Sequence, residues 1–551
     1  LFSKLKRIIS ALSRRERIIV IGAAVVFVLA SFSRLAFAIK ENSAFVPVAG
    51  GTYIEGIVGQ PTAVNPIIAG TQADQDIAAL IFSPLAKLLA SLDADETGRI
   101  YTLKLKDGLV WDDGQPLTSD DVVFTIRTIQ DPDARSPLQK NWQGVQIERE
   151  SELMVRFTLP APYSFFPKNL ERVSPIPRHV FGSIPAQNIR LSTYNLQPVG
   201  SGPYSFKDFA TRKDGFITRY RLVPNEHYYG EQPFITTFSF QFYEQESDLL
   251  TAFRLREIQG FGGLLPPDPA TESIPQVMTD QVPMPRYYAV FLNSLNNPAL
   301  KDNDLRDALS FAIDRTRIVR EVFNGAATAI GSPILFDSIA TGSLPEASSS
   351  TSTAPFVPEA AALFDPETAR VALEKVDDLD VALNIVVPRS AFLERIAVIV
   401  KDSWNAVGLT NVTVIPVEPD DLANDVLRSR NYELLLFGNV FQDPADLFPF
   451  WHSSQRFNPG LNLSLYQNTK ADTAIEAIRQ TSDADEQFAQ LIKLDAILRA
   501  ENPATFLVSV PYFYTHTERL NGFSSTSLMV SPQDRFRNVE AWYVAQARVL
   551  Q

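Results

Sequence analysis

The chain has 551 residues, 45% of them hydrophobic and 21% charged, too many for one ordinary core, so two or three domains are expected. Its net charge is −13, yet the first 17 residues set Lys4, Lys6, Arg7, Arg14, Arg15 and Arg17 against Glu16 alone, so the remainder is more acidic still and is expected to repel nucleic acid. The absence of cysteine excludes disulfides, thiolate metal sites, cysteine nucleophiles and a lipid-modified cysteine anchor, and four scattered histidines (His179, His227, His452 and His516) make no local metal motif.

In chain order, the basic tail (1–17) runs into IIVIGAAVVFVLASFSRLAFAI, residues 18–39. As a helix at ~1.5 Å per residue this segment spans about 33 Å, close to a bilayer's hydrocarbon thickness. The basic flank predicts a cytosolic N-terminus and an exported body. A retained single-pass anchor is the expected reading. A cleaved signal peptide is the other, since Ala36-Phe37-Ala38 fits the small-x-small cleavage pattern, although Arg34 lies inside that region. Both put the body on the extracytoplasmic side.

Residues 40–50 read as a short linker. GGTYIEGIVGQ opens the body as a strand, followed by the turn PTAVNP and a helix predicted over 74–89. Strands are predicted at 101–106, 152–159, 234–244 and 287–296, with a helix over 246–258. From Asp304, the positions Leu305, Ala308, Leu309, Ala312 and Ile313 share one helix face, and Gly325 is a suitable stop. TGSLPEASSSTSTAPFVP, residues 341–358, is Ser/Thr/Pro-rich and reads as a mobile surface loop. Helices and strands then alternate through YELLLFG, an α/β pattern. A helical stretch at 470–500 leads into the apolar strand ATFLVSVPYFYTH.

One segment looks chemical and reads as structural. DGLVWDDGQPLTSDD, residues 107–121, holds five aspartates. Thr118 and Asp121 fit a helix capping box, Leu117 and Val122 a hydrophobic staple, and Asp113-Gly114 a tight turn. The alternating oxygen ligands and closing glutamate of a calcium loop are missing. These aspartates are scaffolding.

Their order is nonetheless distinctive. YTLKLKDGLVWDDGQPLTSDDVVFTI resembles the hallmark segment of family 5 extracellular solute-binding proteins, the peptide- and nickel-binding receptors of ABC importers. GGTYIEGIVGQPTAVNP, PVGSGPYSF, NEHYYGEQPFI, LRDALSFAIDRTRIV and GNVFQDPADLFPFWHSSQ are similar to further family segments, in the family's order. The resemblance implies an α/β, two-lobed, periplasmic-binding-protein-like (class II) fold with mixed sheets behind the membrane helix. Lobe I would comprise 51–280 plus 505–551, with an extra subdomain at about 75–195, and lobe II 281–504. The crossings would lie near 281–290 and 500–508.

The same resemblance implies a monomeric receptor that is no enzyme. It would capture oligopeptides between its lobes by hinge closure and deliver them to an ABC permease in the same membrane. In relatives an aspartate near GNVFQDP pairs with the ligand's amino group. Asp443 is the nearest match, and Asn439 and Phe441 stand where relatives often carry that aspartate. Gln72, Asp74, Phe261, Trp451 and Tyr512 complete the candidate ligand-binding set. Five of these also have a plain reading: a turn at Asp443-Pro444, a helix cap at Asp74, a buried pair in Trp451 and His452, core at Phe261 and Tyr512. No catalytic residue, metal ligand or cofactor is assigned. An exported hydrolase built on paired carboxylates, and a surface chaperone or sensor on the same fold, stay open as alternatives. Sugars and metal chelates stay open as ligands.

Overall fold

The computed structural model describes residues 13–41, 43–342, 364–377, 380–526 and 528–550. The tail up to residue 12 and most of the Ser/Thr/Pro-rich segment lie outside these. Arg14–Glu41 is one helix of 28 residues, on which Ile18, Val26, Phe27 and Phe32 are exposed. Counting the described residues only, no helix is long and apolar enough to cross a membrane. The linker expected over 40–50 contains a strand instead. Ser43–Pro47 pairs antiparallel with Gln546–Leu550, joining the two ends of the body.

Two mixed sheets organise that body. The first has seven strands, in the order Val277–Val282, Tyr512–Thr517, Gly260–Gly263, Thr52–Val58, Thr237–Tyr243, Ile217–Pro224, Tyr204–Thr211. The second has six, in the order Thr328–Ala329, Ala504–Ser509, Arg286–Leu292, Leu434–Val440, Leu383–Pro388, Val412–Val417. RYYAVFL, at 286–292, is buried at every position, as a central strand covered on both faces must be. A separate four-stranded sheet is built from residues between Leu89 and Thr158.

The chain passes between the two large sheets after Val282 and returns after Ser509. The run ATFLVSVPYFYTH is therefore two strands in different sheets. Pro511 lacks the amide hydrogen a ladder needs, so pairing stops there and the chain changes sheet. The return crossing lies beyond the expected boundary at 504/505.

Local capping splits three helices that hydrophobic spacing alone reads as continuous. Ser83-Pro84 separates Gln72–Ile81 from Leu85–Leu88. Asp314 accepts the Arg317 amide at 3.0 Å and starts Arg315–Phe323 anew after Asn303–Phe311. Asp483 does the same for Ala484–Glu501 after Thr469–Gln480.

The aspartates at 107–121 hold local structure. Asp121 takes the Thr118 amide (2.9 Å) in a capping box and the Arg178 amide (2.8 Å). Asp113 takes the Gln115 amide (3.0 Å) and lies 2.7 Å from His179 Nε2. Asp112 is held differently: burial pushes its carboxyl up to about 6.

A buried ionic network fastens the C-terminal segment to the first sheet. Arg535 lies 3.0 Å from Glu55 and 2.9 Å from Asp76, both fully enclosed. Tyr514 donates to Glu55 at 2.8 Å, and Tyr53 lies 2.7 Å from the Tyr514 hydroxyl. Gly260 and Gly262 leave room for the neighbouring rings: a Cβ at Gly262 would stand 1.7 Å from the Tyr512 hydroxyl.

Two outcomes follow. Arg535→Met should cost about 3–5 kcal/mol in urea unfolding, because it strands two buried carboxylates. Asp112→Asn should raise the urea midpoint above about pH 6 and lose that advantage near about pH 4. A carboxyl raised from 3.8 to about 6 binds its proton more tightly when folded, so stability falls as pH rises through that window.

Candidate functional site

At the crossing, Arg286 is buried and donates from Nε to Val510 O (2.8 Å) and from Nη2 to Pro511 O (2.7 Å) and Leu264 O (3.0 Å). It thereby fixes both crossing segments against the end of the glycine-rich strand. Its strand partner is Val440. Around this seam Leu264, Leu265 and Val440 are 44%, 38% and 46% exposed, apolar surface at a junction where a ligand would bury it.

Leu434–Val440 pairs along its whole length with 286–292 on one side. On the other, 383–388 meets it only at Ile385↔Leu434 and Val386↔Leu435. Among the described residues, 436–440 therefore has an open ladder edge. Gly438 lies in that stretch, where the Tyr288 ring would come within 2.7 Å of any Cβ. An open edge is a template for another extended chain.

Three residues beyond the strand, Asp443 lines a cavity of about 300 Å³ with Lys168, Arg172, Asp534 and Arg537 from the other side of the seam. A neighbouring cavity of about 210 Å³ shares Arg172, Gln442, Asp534 and Arg537. Asp443 Oδ1 accepts the Ala445 amide at 2.9 Å, and Oδ2 accepts nothing among the described residues. Burial raises this carboxyl, while Lys168 and Arg172 pull it down.

The rim of the cleft is clasped. Tyr163 donates to Asp446 (2.9 Å), which also takes Arg479 through two bonds of 2.9 Å. The Arg479 guanidinium stacks 4.1 Å from the Phe448 ring and 4.7 Å from that of Tyr163. Ser164 N donates to Arg479 O (2.8 Å), and Phe165, 7% exposed, packs into the second sheet's core.

The expected residues are placed unequally. Asp443 alone of the eight lines the cleft cavities. Asn439 donates to the Tyr287 hydroxyl (3.0 Å) and Phe441 is buried against Tyr287 and Phe450, so both orient the strand end. Asp74 accepts the amides of Thr62 (2.6 Å), Ala63 (2.7 Å) and Thr71 (3.1 Å), a cap with both oxygens engaged. Gln72 donates to Asp76, and Phe261 packs edge-on to Phe253. Trp451 is enclosed near Phe291 and Phe506, and Tyr512 is buried across from Gly262. Arg172, Arg537 and Leu264 carry no motif and escape a sequence reading. The open edge depends on strand register and escapes it too.

A charged cavity where two mixed sheets meet, beside two short crossings, is a place where a small solute can bind. The chain belongs to the bacterial extracellular solute-binding proteins, family 5, whose middle-region model matches residues 84–458. Membership puts the body outside the cytoplasm. The oligopeptide-binding protein AppA of Bacillus subtilis (strain 168) is 24% identical over 97% of this chain and 100% of its own length. The probable D,D-dipeptide-binding periplasmic protein DdpA of Escherichia coli (strain K12) is 23% identical over 79% of this chain and 81% of its own. Among solved structures, the ABC transporter substrate binding protein CtaP of Listeria monocytogenes matches with a TM-score of 0.75 at 26% identity, covering 90% of this chain and 99% of that one. The AppA structure from Bacillus subtilis, in complex with a nonapeptide, matches with a TM-score of 0.70 at 22% identity, covering 91% and 100%, and supports the fold.

If the rim contacts hold the cleft shut, Arg479→Ala should enlarge the radius of gyration of the ligand-free protein in small-angle scattering. An unchanged curve would assign closure to the crossings alone.

Proposed function

We propose that the protein is the substrate-binding receptor of an ABC importer and that its substrates are oligopeptides. The observation that carries this reading is the open edge at 436–440. A peptide main chain supplies donors and acceptors at the strand repeat, so it can extend the sheet there, and a sugar has no such repeat. Asp443 Oδ2 is placed to accept an ammonium, and Leu264, Leu265 and Val440 offer apolar surface for side chains. Two of the relatives are peptide-binding by name, which favours the same class.

In this reading lobe I is the seven-stranded sheet with residues 43–282 and 512–550, and lobe II is 286–509. The segments 283–285 and 510–511 form the hinge. Ligand contacts made from both lobes at once shift an open–closed equilibrium towards the closed form. No bond is broken in the cycle. The single-pass anchor is assigned to the run at 18–39 from its hydropathy and basic flank alone, since the helix Arg14–Glu41 itself falls short of a spanning helix. The receptor acts as a monomer and hands its cargo to a permease in the same membrane.

The test is peptide capture by the full chain in detergent, with bound species extracted and identified by mass spectrometry. Peptides should be recovered from a mixed library. Asp443→Asn should weaken binding of free-amine peptides about 10–100-fold, the loss of one charge-assisted hydrogen bond, and leave N-acetylated peptides nearly unaffected. A wild-type protein that retains no peptide would remove the substrate assignment.

A further inference from the structure

We infer that Arg172 is the receptor for a carboxylate of the ligand, an inference that rests on the peptide reading and names the second charged contact of the cleft. Its basis is how charges pair around the 300 Å³ cavity. Lys168 lies 3.2 Å from Glu171, and Arg537 lies 3.7 Å from Asp534. These four groups satisfy one another. Arg172 and Asp443 remain. Among the described residues neither has an oppositely charged group within ion-pair distance.

A guanidinium has five N–H donors in a planar fork that matches a carboxylate. Among the described residues the Arg172 guanidinium makes one hydrogen bond, from Nη2 to Gln442 O at 2.6 Å. That carbonyl belongs to the peptide unit that leads into Asp443. The cation and the uncommitted carboxylate oxygen therefore face the same chamber from opposite sides of the seam. Arg172 also lines the neighbouring cavity, so it stands where the two chambers meet. Burial works against its charge, which Asp534, Glu171 and Asp443 support only from a distance. A half-enclosed cation without a direct counter-ion gains most from a ligand that brings one. A ligand that brings both charges to this end of the cleft completes the site, with an ammonium towards Asp443 and a carboxylate on Arg172.

The carboxylate can be a peptide's C-terminus or an acidic side chain, and titration calorimetry on the full chain separates them. The probes are trialanine, trialanine amide and Ala-Glu-Ala amide, with succinate as a carboxylate that is not a peptide. Trialanine should bind at least ten-fold more tightly than its amide if the C-terminus is read. Ala-Glu-Ala amide should exceed trialanine amide by a similar factor if a side chain is read. Arg172→Gln should erase whichever difference appears, Arg172→Lys should keep part of it, and both should melt as the wild type does. Equal affinity for all three peptides, or an equal loss for all three in Arg172→Gln, would overturn the role of Arg172 and leave the peptide reading standing. If no peptide binds but succinate binds to the wild type and not to Arg172→Gln, the carboxylate site stands and the peptide reading falls. If nothing binds, both fall.

Discussion

Arg286 gives three of its hydrogen bonds to carbonyls, on Val510, Pro511 and Leu264, at the place where the chain passes from one sheet to the other and back. Both connectors are short, 283–285 and 510–511, and both contain proline. The sheets therefore cannot drift apart, and their relative position reduces to rotations about two neighbouring points. The rest of the cleft inherits its geometry from this joint. The edge at 436–440 begins at the strand partner of Arg286, and the apolar surface of Leu264 begins at a carbonyl that Arg286 holds.

The lobes differ in how they resist deformation. The first sheet is fastened from within by Arg535 between Glu55 and Asp76, a pairing whose loss would leave charges that water cannot reach. The second sheet has a central strand buried at every position, and its buried cation Arg315 is held by the carbonyls of Ile330 and Phe506 rather than by carboxylates. Between them run polar contacts, among them Tyr163 with Asp446, Ser164 with Arg479 and Arg172 with Gln442, beside one apolar anchor, Phe165. Rigid bodies with a weak seam are what a clasp requires, because ligand must add only a few kcal/mol to shift the balance.

Much of this was legible in the amino-acid sequence where the governing chemistry is local. Thr118 and Asp121 announce their capping box three residues apart, and the structure forms it. The family's motifs led to Asp443. What escaped depends on distant partners or on a single residue overriding a periodic pattern. Asp314 sits in an otherwise unbroken helical spacing and restarts the helix. Pro511 divides one apolar run between two sheets. The pairing of 43–47 with 546–550 joins opposite ends of the chain. Asp74 looked free to face a cleft until the loop at Thr62 and Ala63 turned its amides onto it. Arg172 stands out only when its neighbours prove to be paired with one another.

The central claim is that a peptide extends the sheet at 436–440. Backbone hydrogen–deuterium exchange, followed residue by residue with and without a captured peptide, tests it most directly. Amides within 436–440 should exchange more slowly once the ligand is bound, together with the crossing segments. Bound peptide with no change of exchange along 436–440 would contradict it.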